Sequence, residues 1–352
     1  MGYHRSRGAF VVSIFIAGWV SLFSAGCSGE RKAVKLYVDA VMLNDAGQND
    51  QAVEKLNFAL RANKRFSLAY SLLGDIYQQN KDYEKSIAAY EKATEMNPWS
   101  FRDYLSLGKV CQVTERFSQA AGAYTKVCEL EPDNSEAYIN AARCYYEIKD
   151  YNNVLVYGEI ARKFDPNASD VQRMLGDIYE LRKDHQQAIA LYKMALETDS
   201  DNPKIMTSLA VVYLRTNRNQ EAKELLTSAI QIKPDNSAAY QYLGYCYLRL
   251  REQTIESHRS ELTADSNAPL IEQTVRGYLN DAIQSYSKAI EINDKDWEAY
   301  RGLGVAYMLR ALDNRDDALK AKAIEQWRAS LDIKPDQPRR EKLLELMRKY
   351  SN

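Results

Sequence analysis

The pattern that decides the fold is complete in residues 70–98, which read YSLLGDIYQQNKDYEKSIAAYEKATEMNP. Its first half centres on Gly74, with Tyr70 four residues before it and Tyr77 three residues after it. A small residue returns at one fixed interval along the chain, which predicts an array of one repeated structural unit. The residues that recur at this interval of 34 are Gly74, Gly108, Ala142, Gly176, Ala210 and Gly244.

Each unit contains two stretches with helical periodicity. Spacings of three and four residues place Tyr70, Leu73 and Tyr77 on one helix face. A second face of the same kind begins at Ser86, and Pro98 ends that helix because proline cannot supply the next backbone donor. The unit is therefore predicted to be a helical hairpin, which must stack on its neighbours to bury its apolar stripe.

A unit of this length with Tyr-x-x-Leu-Gly-x-x-Tyr, followed by Ser86, Tyr90, Ala93 and Pro98, resembles the tetratricopeptide repeat (TPR). The resemblance covers residues 33–336. It implies an all-α fold, a right-handed superhelical TPR solenoid of about eight helix-turn-helix repeats, in which the first helix of each hairpin lines a concave groove.

Counting in this register gives eight hairpins, and both ends of the array match the pattern least well. Residues 337–352 are predicted to form a capping helix that covers the exposed face of the last hairpin. The residues expected to make this contact are Leu343, Leu344, Met347 and Tyr350. The hairpins begin near Ala33, Ser67, Phe101, Ser135, Ser169, Pro203, Ser237 and Trp297.

Two hairpins are longer than the others. Gly304 follows Gly244 at an interval of 60 instead of 34, and the extra residues lie at about 252–277. Pro269 is typical of a first helical turn. We therefore expect the seventh hairpin to extend beyond its neighbours by roughly ten residues a helix, on the order of 15 Å. A smaller insertion lies at about 312–319.

The N-terminus has the pattern of an export signal. Two arginines precede an uncharged, apolar stretch at residues 8–27, which indicates a secretory signal peptide in residues 1–26. Its ending, Leu-Phe-Ser-Ala-Gly-Cys, resembles the bacterial lipobox, although Ser24 stands where that family usually has Leu. The resemblance implies that Cys27 is lipidated and becomes the mature N-terminus of a lipoprotein.

Two alternatives remain open for this segment. Cleavage after Gly26 without lipidation would give a soluble exported protein. Without cleavage, the roughly twenty uncharged residues would remain as a membrane anchor, since that length spans a bilayer. All three interpretations place the repeats outside the cytoplasm, in the bacterial cell envelope, and none chooses between the inner and the outer membrane.

Composition and motifs give no support for catalysis. The chain has 47 Lys and Arg against 48 Asp and Glu, a net charge of −1, which argues against nucleic acid as the main ligand. There is no glycine-rich phosphate loop, and His185 and His258 lie far apart without a nucleophile motif. We therefore predict a protein that is not an enzyme and that has no cofactor.

The repeats contain four cysteines without the spacing of metal ligands, so no metal site is predicted. We expect buried, inert thiols at Cys111, Cys128, Cys144 and Cys246. A disulfide between Cys128 and Cys144 is the open alternative, because export would place both in an oxidising compartment.

The TPR resemblance also implies which residues face a bound segment. A groove that passes from basic to aromatic and apolar suits a partner with acidic residues followed by hydrophobic anchors. The carboxylate clamp of some TPR domains is absent, since only Asn140 fits it. The predicted groove residues are Arg102, Lys109, Asn140, Arg143 and Arg173, then Tyr242, Tyr245 and Leu248, with Val211, Leu214 and Met308 extending the apolar part.

The leading hypothesis is a scaffold or adaptor tethered to the cell envelope, which binds segments of other envelope proteins in its groove. One alternative is a glycan-binding or cell-wall-binding accessory to an envelope enzyme. The other is an assembly factor that self-associates through Leu343, Met347 or the lengthened hairpin.

Overall fold

The structure, a computed structural model, describes residues 28–259 and 268–351. Every regular element in these two ranges is an α-helix, which confirms the all-α prediction. None of these helices has the length and hydropathy needed to cross a bilayer. The predicted signal peptide, residues 1–26, and the predicted lipidation site Cys27 lie outside the described residues.

The helices form two compact units, divided between Asp165 and Pro166. The first unit has four consecutive hairpins in which the two helices of each pair pack together. Its helices are α1 (28–45), α2 (Asn49–Ala62), α3 (Ser67–Gln79), α4 (Tyr83–Met96), α5 (Phe101–Val113), α6 (Phe117–Leu130), α7 (Ser135–Glu147) and α8 (Tyr151–Phe164).

The second unit has four further hairpins and a final single helix. Its helices are α9 (Ser169–Leu181), α10 (His185–Thr198), α11 (Pro203–Arg215), α12 (Asn219–Ile232), α13 (Ser237–Ser257), α14 (Ala268–Ile292), α15 (Trp297–Asn314), α16 (Asp317–Ile333) and α17 (Arg340–Tyr350).

The hairpin of α13 and α14 is the longest in the second unit. These helices have 21 and 25 residues, whereas α11 and α12 have 13 and 14. The difference is about two to three helical turns, or roughly 12–16 Å, which agrees with the expected extension. Arg251 near the end of α13 donates to Asp313 on the lengthened α15 at 2.9 Å, so the added turns of both helices are joined.

Where the small residue of a repeat is glycine, a large ring on the second helix requires it. A Cβ added to Gly74 would lie 2.6 Å from the ring of Tyr90, closer than a packed interior permits. The Tyr90 hydroxyl donates to Asp75 Oδ1 at 2.6 Å and holds the ring in place. Equivalent approaches of 2.8–2.9 Å occur for Gly108 with Tyr124, Gly176 with Tyr192, and Gly244 with Tyr286.

Where the small residue is alanine, the facing position also changes. Gly158 follows Ala142, and Leu226 follows Ala210, at the same interval that separates Gly74 from Tyr90. All four residues of these two pairs are buried. In both hairpins the alanine Cβ occupies the space between the helices, and a residue smaller than tyrosine stands at the facing position on the second helix.

In the second to sixth hairpins, the first helix is followed by a residue with left-handed backbone. The amide of the next residue then donates back into the last turn, as from Asp82 to the carbonyl of Tyr77 at 2.8 Å. These left-handed residues recur at the repeat interval and are Lys81 (φ 60°), Glu115 (58°), Lys149 (61°), Lys183 (63°) and Asn217 (60°).

The final helix α17 packs on the last hairpin. Leu343 is 6% exposed and belongs to a cluster with Met308 and Trp327. Met347 and Tyr350 pack against the same cluster, as expected of a cap, and Leu346 joins them. Because these side chains are engaged, Leu343 and Met347 do not offer the exposed apolar face that the self-association hypothesis needs.

Candidate partner-binding site

The predicted groove residues all lie on first helices of hairpins. Arg102 and Lys109 lie on α5, and Asn140 and Arg143 on α7, all in the first unit. The remaining four belong to the second unit: Arg173 on α9, and Tyr242, Tyr245 and Leu248 on α13.

The basic residues of α5 are opposed by carboxylates on neighbouring first helices. The Arg102 Nη2 atom lies 3.8 Å from Asp75 Oδ2 on α3. The Lys109 Nζ atom lies 3.0 Å from Glu136 Oε1 on α7. Both pairs are largely exposed, so each contributes little to stability. Each carboxylate nevertheless offsets the charge of its basic partner, so this part of the groove is less positive than the sequence predicted.

The polar residues of α7 bind each other. Asn140 is buried, and its Oδ1 atom accepts a hydrogen bond from Arg143 Nη1 at 3.1 Å. A guanidinium held by a buried side chain of its own helix has fewer orientations for an incoming carboxylate. Asn140 thus acts as a positioning residue for Arg143 rather than as an exposed contact.

Arg173 on α9 is a buried ion-pair residue. It is 8% exposed, and its Nη1 atom lies 2.5 Å from Asp177 Oδ2. Asp177 also accepts from the Tyr192 hydroxyl at 2.5 Å. Burial, with the Asp177 charge beside the ring, raises the pKa of Tyr192 far above its usual value. The sequence prediction that Arg173 faces a partner is therefore replaced by a structural role inside the second unit.

The aromatic and apolar residues predicted on α13 all line one pocket. Tyr242, Tyr245 and Leu248 line an open cavity of about 500 Å³ together with residues of α15 and α17. Tyr245 is 44% exposed and Val305 on α15 is 37% exposed. These two side chains present apolar surface to solvent at the mouth, which is what a binding pocket for a hydrophobic anchor requires.

Buried rings form the deeper wall of this pocket. Tyr286 and Trp327 are each at most 3% exposed, and Trp327 Nε1 donates to the carbonyl of Arg301 at 3.2 Å. Because these rings are fixed by packing, the pocket exists before a ligand binds. Burial raises the pKa of Tyr242, which moves the pKa further from physiological pH, where a phenol is already neutral at its usual pKa.

The rim of the pocket is mostly basic. Arg301 stacks on Trp297 with its guanidinium 4.9 Å from the ring centroid and donates to the carbonyl of Pro338 at 3.2 Å. Arg339 and Lys342 lie on the same rim, and Glu298 is the one acidic residue among those described that line the cavity. An anion at the mouth would thus meet three positive charges and one negative charge.

Sequence reasoning missed the half of this pocket that comes from α15 and α17. Val305 lies on α15, the first helix of the eighth hairpin, near the repeat positions that were predicted to face the groove. Arg339, Lys342 and Leu346 lie in the cap, to which the repeat interval does not apply. The signal that the sequence does contain is the amphipathic pattern of residues 340–350, which shows that the cap packs somewhere but not what it encloses.

Two residues predicted to extend the apolar groove are not exposed. Leu214 and Met308 are each 5% exposed. Leu214 belongs to the core cluster of α9–α13, and Met308 is covered by Trp327 and Leu343. The prediction that they contact a partner is therefore wrong, because neighbouring helices occupy the space in front of them.

The four repeat cysteines are free and buried. Burial raises the pKa of Cys111 to about 11 and that of Cys128, Cys144 and Cys246 to about 12. A raised thiol pKa favours the neutral form, which is neither a nucleophile nor a metal ligand. Within residues 28–259 and 268–351, no cluster of His, Cys, Asp and Glu has the geometry of a metal site.

Thiol reactivity tests this arrangement. In a Cys27→Ser protein kept without reductant, we expect the native fold to react very slowly with an aromatic disulfide reagent at about pH 8, and the urea-unfolded chain to react at all four cysteines. Reaction would accelerate only as the pH approaches the raised pKa values. Recovery of only two thiols after unfolding would instead show a Cys128–Cys144 disulfide.

Family patterns match segments of both units. The pattern described as "Tetratricopeptide repeat" matches residues 68–98, 156–203 and 181–243, and the pattern described as "TPR repeat" matches residues 275–309. The chain is a tetratricopeptide-repeat protein. Such TPR proteins are generally scaffolds without catalytic activity that bind other proteins.

Solved TPR structures share the fold at low identity. The APC/C hetero-tetramer Cut9–Hcn1 aligns with a TM-score of 0.54 at 14% identity, over 85% of this chain and 52% of that one. The C-terminal part of a TPR repeat-containing protein from Cytophaga hutchinsonii aligns with a TM-score of 0.52 at 16% identity, over 77% of this chain and 98% of that one. Identities this low show the fold alone.

One curated sequence resembles a short part of the TPR chain. The formate-dependent nitrite reductase complex bifunctional subunit NrfFG of Haemophilus influenzae is 28% identical over 75 residues, which are 21% of this chain and 20% of that subunit. The chain thus matches about a fifth of the length of this relative, a stretch of about two repeats.

Proposed function

We infer that this TPR protein is a non-enzymatic scaffold of the bacterial cell envelope that holds a segment of another envelope protein in the pocket beside α13. The observation that carries the inference is the convergence of Tyr242, Tyr245 and Leu248 on one preformed cavity. A pocket with fixed aromatic walls costs little entropy to organise when a partner binds.

The pocket also defines the chemistry of its partner. Tyr245 and Val305 receive an apolar anchor, because both expose apolar surface at the mouth. Arg339 and Lys342 on the rim receive one or more carboxylates next to that anchor. The predicted combination, acidic residues together with hydrophobic anchors, is thereby kept, but the positive charges come from α15 and the C-terminal cap rather than from α5 and α7.

Attachment to the membrane is the second part of the proposal. The lipobox-like ending at Cys27 and the apolar stretch at residues 8–27 support a diacylated or triacylated N-terminus. Intact mass of the mature protein from native membranes tests it. An acylated Cys27 with loss of membrane attachment in Cys27→Ser is expected, whereas unmodified Cys27 in a membrane-bound chain would indicate an uncleaved anchor.

A substitution at the mouth of the pocket separates binding from folding. Tyr245→Ala should lower the affinity for the partner about tenfold, the size expected of one partly exposed aromatic anchor, and should leave the melting temperature nearly unchanged. Tyr242→Ala should instead lower the melting temperature, because Tyr242 packs against the core cluster of α9–α13. The partner is first captured by photo-crosslinking from position 245 in native membranes, identified, purified and titrated.

Trp99→Ala is the matched control, since Trp99 is a 79% exposed aromatic residue of the first unit. Its affinity for the partner should equal that of the wild type. If Tyr245→Ala also binds like the wild type, the partner does not use this pocket and the proposed function fails.

A further inference from the structure

The first helix presents an apolar stripe to solvent. Val34, Val38 and Met42 on α1 follow one another at intervals of four and are 51%, 43% and 66% exposed. Intervals of four place them on one helix face. Ala33 and Ala40 on the same helix are fully buried, so α1 packs on its hairpin with one face and turns a second apolar face outward.

The end of this stripe at Met42 occupies a position that is covered in later repeats. At the repeat interval Met42 is followed by Ile76, Val110 and Cys144, and each of these is at most 1% exposed. Ile76 and Val110 belong to core clusters that include side chains of the preceding hairpin. Among the described residues no hairpin precedes α1, so a position that is otherwise part of the core is left open.

The position of α1 in the chain puts this face beside the proposed anchor. The chain is already helical at residue 28, the residue after Cys27 and five residues before the start near Ala33 that the repeat register predicts. Residues 28–35 carry Arg31, Lys32 and Lys35, whereas Glu30 is the only acidic residue among these eight. Basic charge and an apolar stripe on one helix suit the surface of a bilayer with anionic lipids.

We propose that the outward face of α1 lies on the membrane surface, with Val34, Val38 and Met42 among the lipid headgroups and upper acyl chains. The proposal rests on the membrane attachment inferred above for Cys27. Attachment at the adjacent residue supplies a high effective concentration of lipid, so that even three partly exposed side chains remain adsorbed. The first unit is thereby fixed in orientation on the membrane and does not swing freely on its anchor.

The size of the stripe argues against a second copy as its occupant. A stable protein interface buries roughly 800 Å² on each partner. Three side chains, of which two are only about half exposed, cover much less than that area. A membrane surface has no such threshold, because the covalent anchor already holds the helix against it.

The test uses the full-length protein purified from its native membranes and reconstituted into vesicles of phosphatidylcholine with phosphatidylglycerol. A photo-reactive amino acid replaces Val38 in one variant and Val156 in the control. Val156 lies on α8 of the same unit and is 54% exposed, so the two sites match in residue type and are similar in exposure. Adducts with an alkyne-tagged phospholipid are counted by mass spectrometry after irradiation.

Lipid adducts at position 38 with only background at position 156 are the expected result. Combining the probe with Arg31→Glu and Lys35→Glu should then reduce the adducts in anionic vesicles and leave them unchanged in phosphatidylcholine alone. A covalent dimer linked through position 38 would overturn the proposal in favour of a second copy. Equal lipid labelling at both positions in a membrane-bound protein would overturn the proposed membrane contact of α1, whereas the proposed attachment at Cys27 would still stand. A wild-type chain that does not remain with the membrane would overturn the anchor as well.

Discussion

Asp177→Ala should lower the free energy of unfolding by about 3 kcal/mol, the cost expected when a buried ion pair loses one partner. The carboxylate of Asp177 lies 2.5 Å from Arg173 Nη1 and accepts from the Tyr192 hydroxyl at the same distance. Because Arg173 is 8% exposed, water replaces the lost oxygen atoms only in part. Urea unfolding followed by circular dichroism measures the change as a lower midpoint.

Two variants control this prediction. Asp177→Asn keeps an acceptor for Tyr192 and removes the charge, so its midpoint should fall between those of Asp177→Ala and the wild type. Glu95→Ala breaks an ion pair with Lys92 that is more than half exposed on both sides and should leave the midpoint unchanged. Equal shifts for Asp177→Ala and Glu95→Ala would contradict the assignment of a buried pair.

Gly74→Ala should destabilise the first unit by about 2 kcal/mol through overpacking. The new Cβ would meet three atoms of the Tyr90 ring at 2.6–2.8 Å. Tyr90 is 1% exposed and its hydroxyl is held by Asp75 and Gln78, so the ring cannot turn away. Thermal unfolding of the purified variant gives the effect as a lower melting temperature.

The same substitution at Gly122 is the matched control. Gly122 lies on α6 of the same unit with no heavy atom within 4 Å of its added Cβ. Gly122→Ala should therefore raise stability by up to about 1 kcal/mol, the difference in helix propensity. The double variant Gly74→Ala with Tyr90→Leu copies the natural pair Ala210 and Leu226 and should recover part of the loss. A single variant as stable as the wild type would show that the helices of this hairpin can separate without cost.

The repeat architecture could be predicted from sequence because its causes are local. The fit of Gly74 to Tyr90 depends on two residues of one hairpin, 16 positions apart, and the hairpins of Gly108 and Gly176 repeat it with the same separation. The lengthened hairpin could also be predicted, since added turns of an amphipathic helix preserve the spacing of its apolar residues.

The charge of the candidate site could not be predicted in the same way. Arg102 with Asp75 and Lys109 with Glu136 join helices of successive hairpins and meet only once the hairpins have stacked. The interval of four between Arg173 and Asp177 is readable in the sequence, but their burial is not. The pocket itself combines α13 and α15 with a cap that follows no repeat, so its walls depend on packing that no periodicity describes.

The left-handed turns have a consequence for the heat resistance of the protein. An L-residue in this backbone conformation costs roughly 1 kcal/mol relative to glycine, and the chain places lysine or glutamate there four times: Lys81, Glu115, Lys149 and Lys183. The natural sequence therefore lies below the stability that its own backbone permits. Glycine at these four positions should therefore raise the melting temperature of the protein. The difference in melting temperature between the quadruple variant and the wild type measures how much stability the four side chains cost.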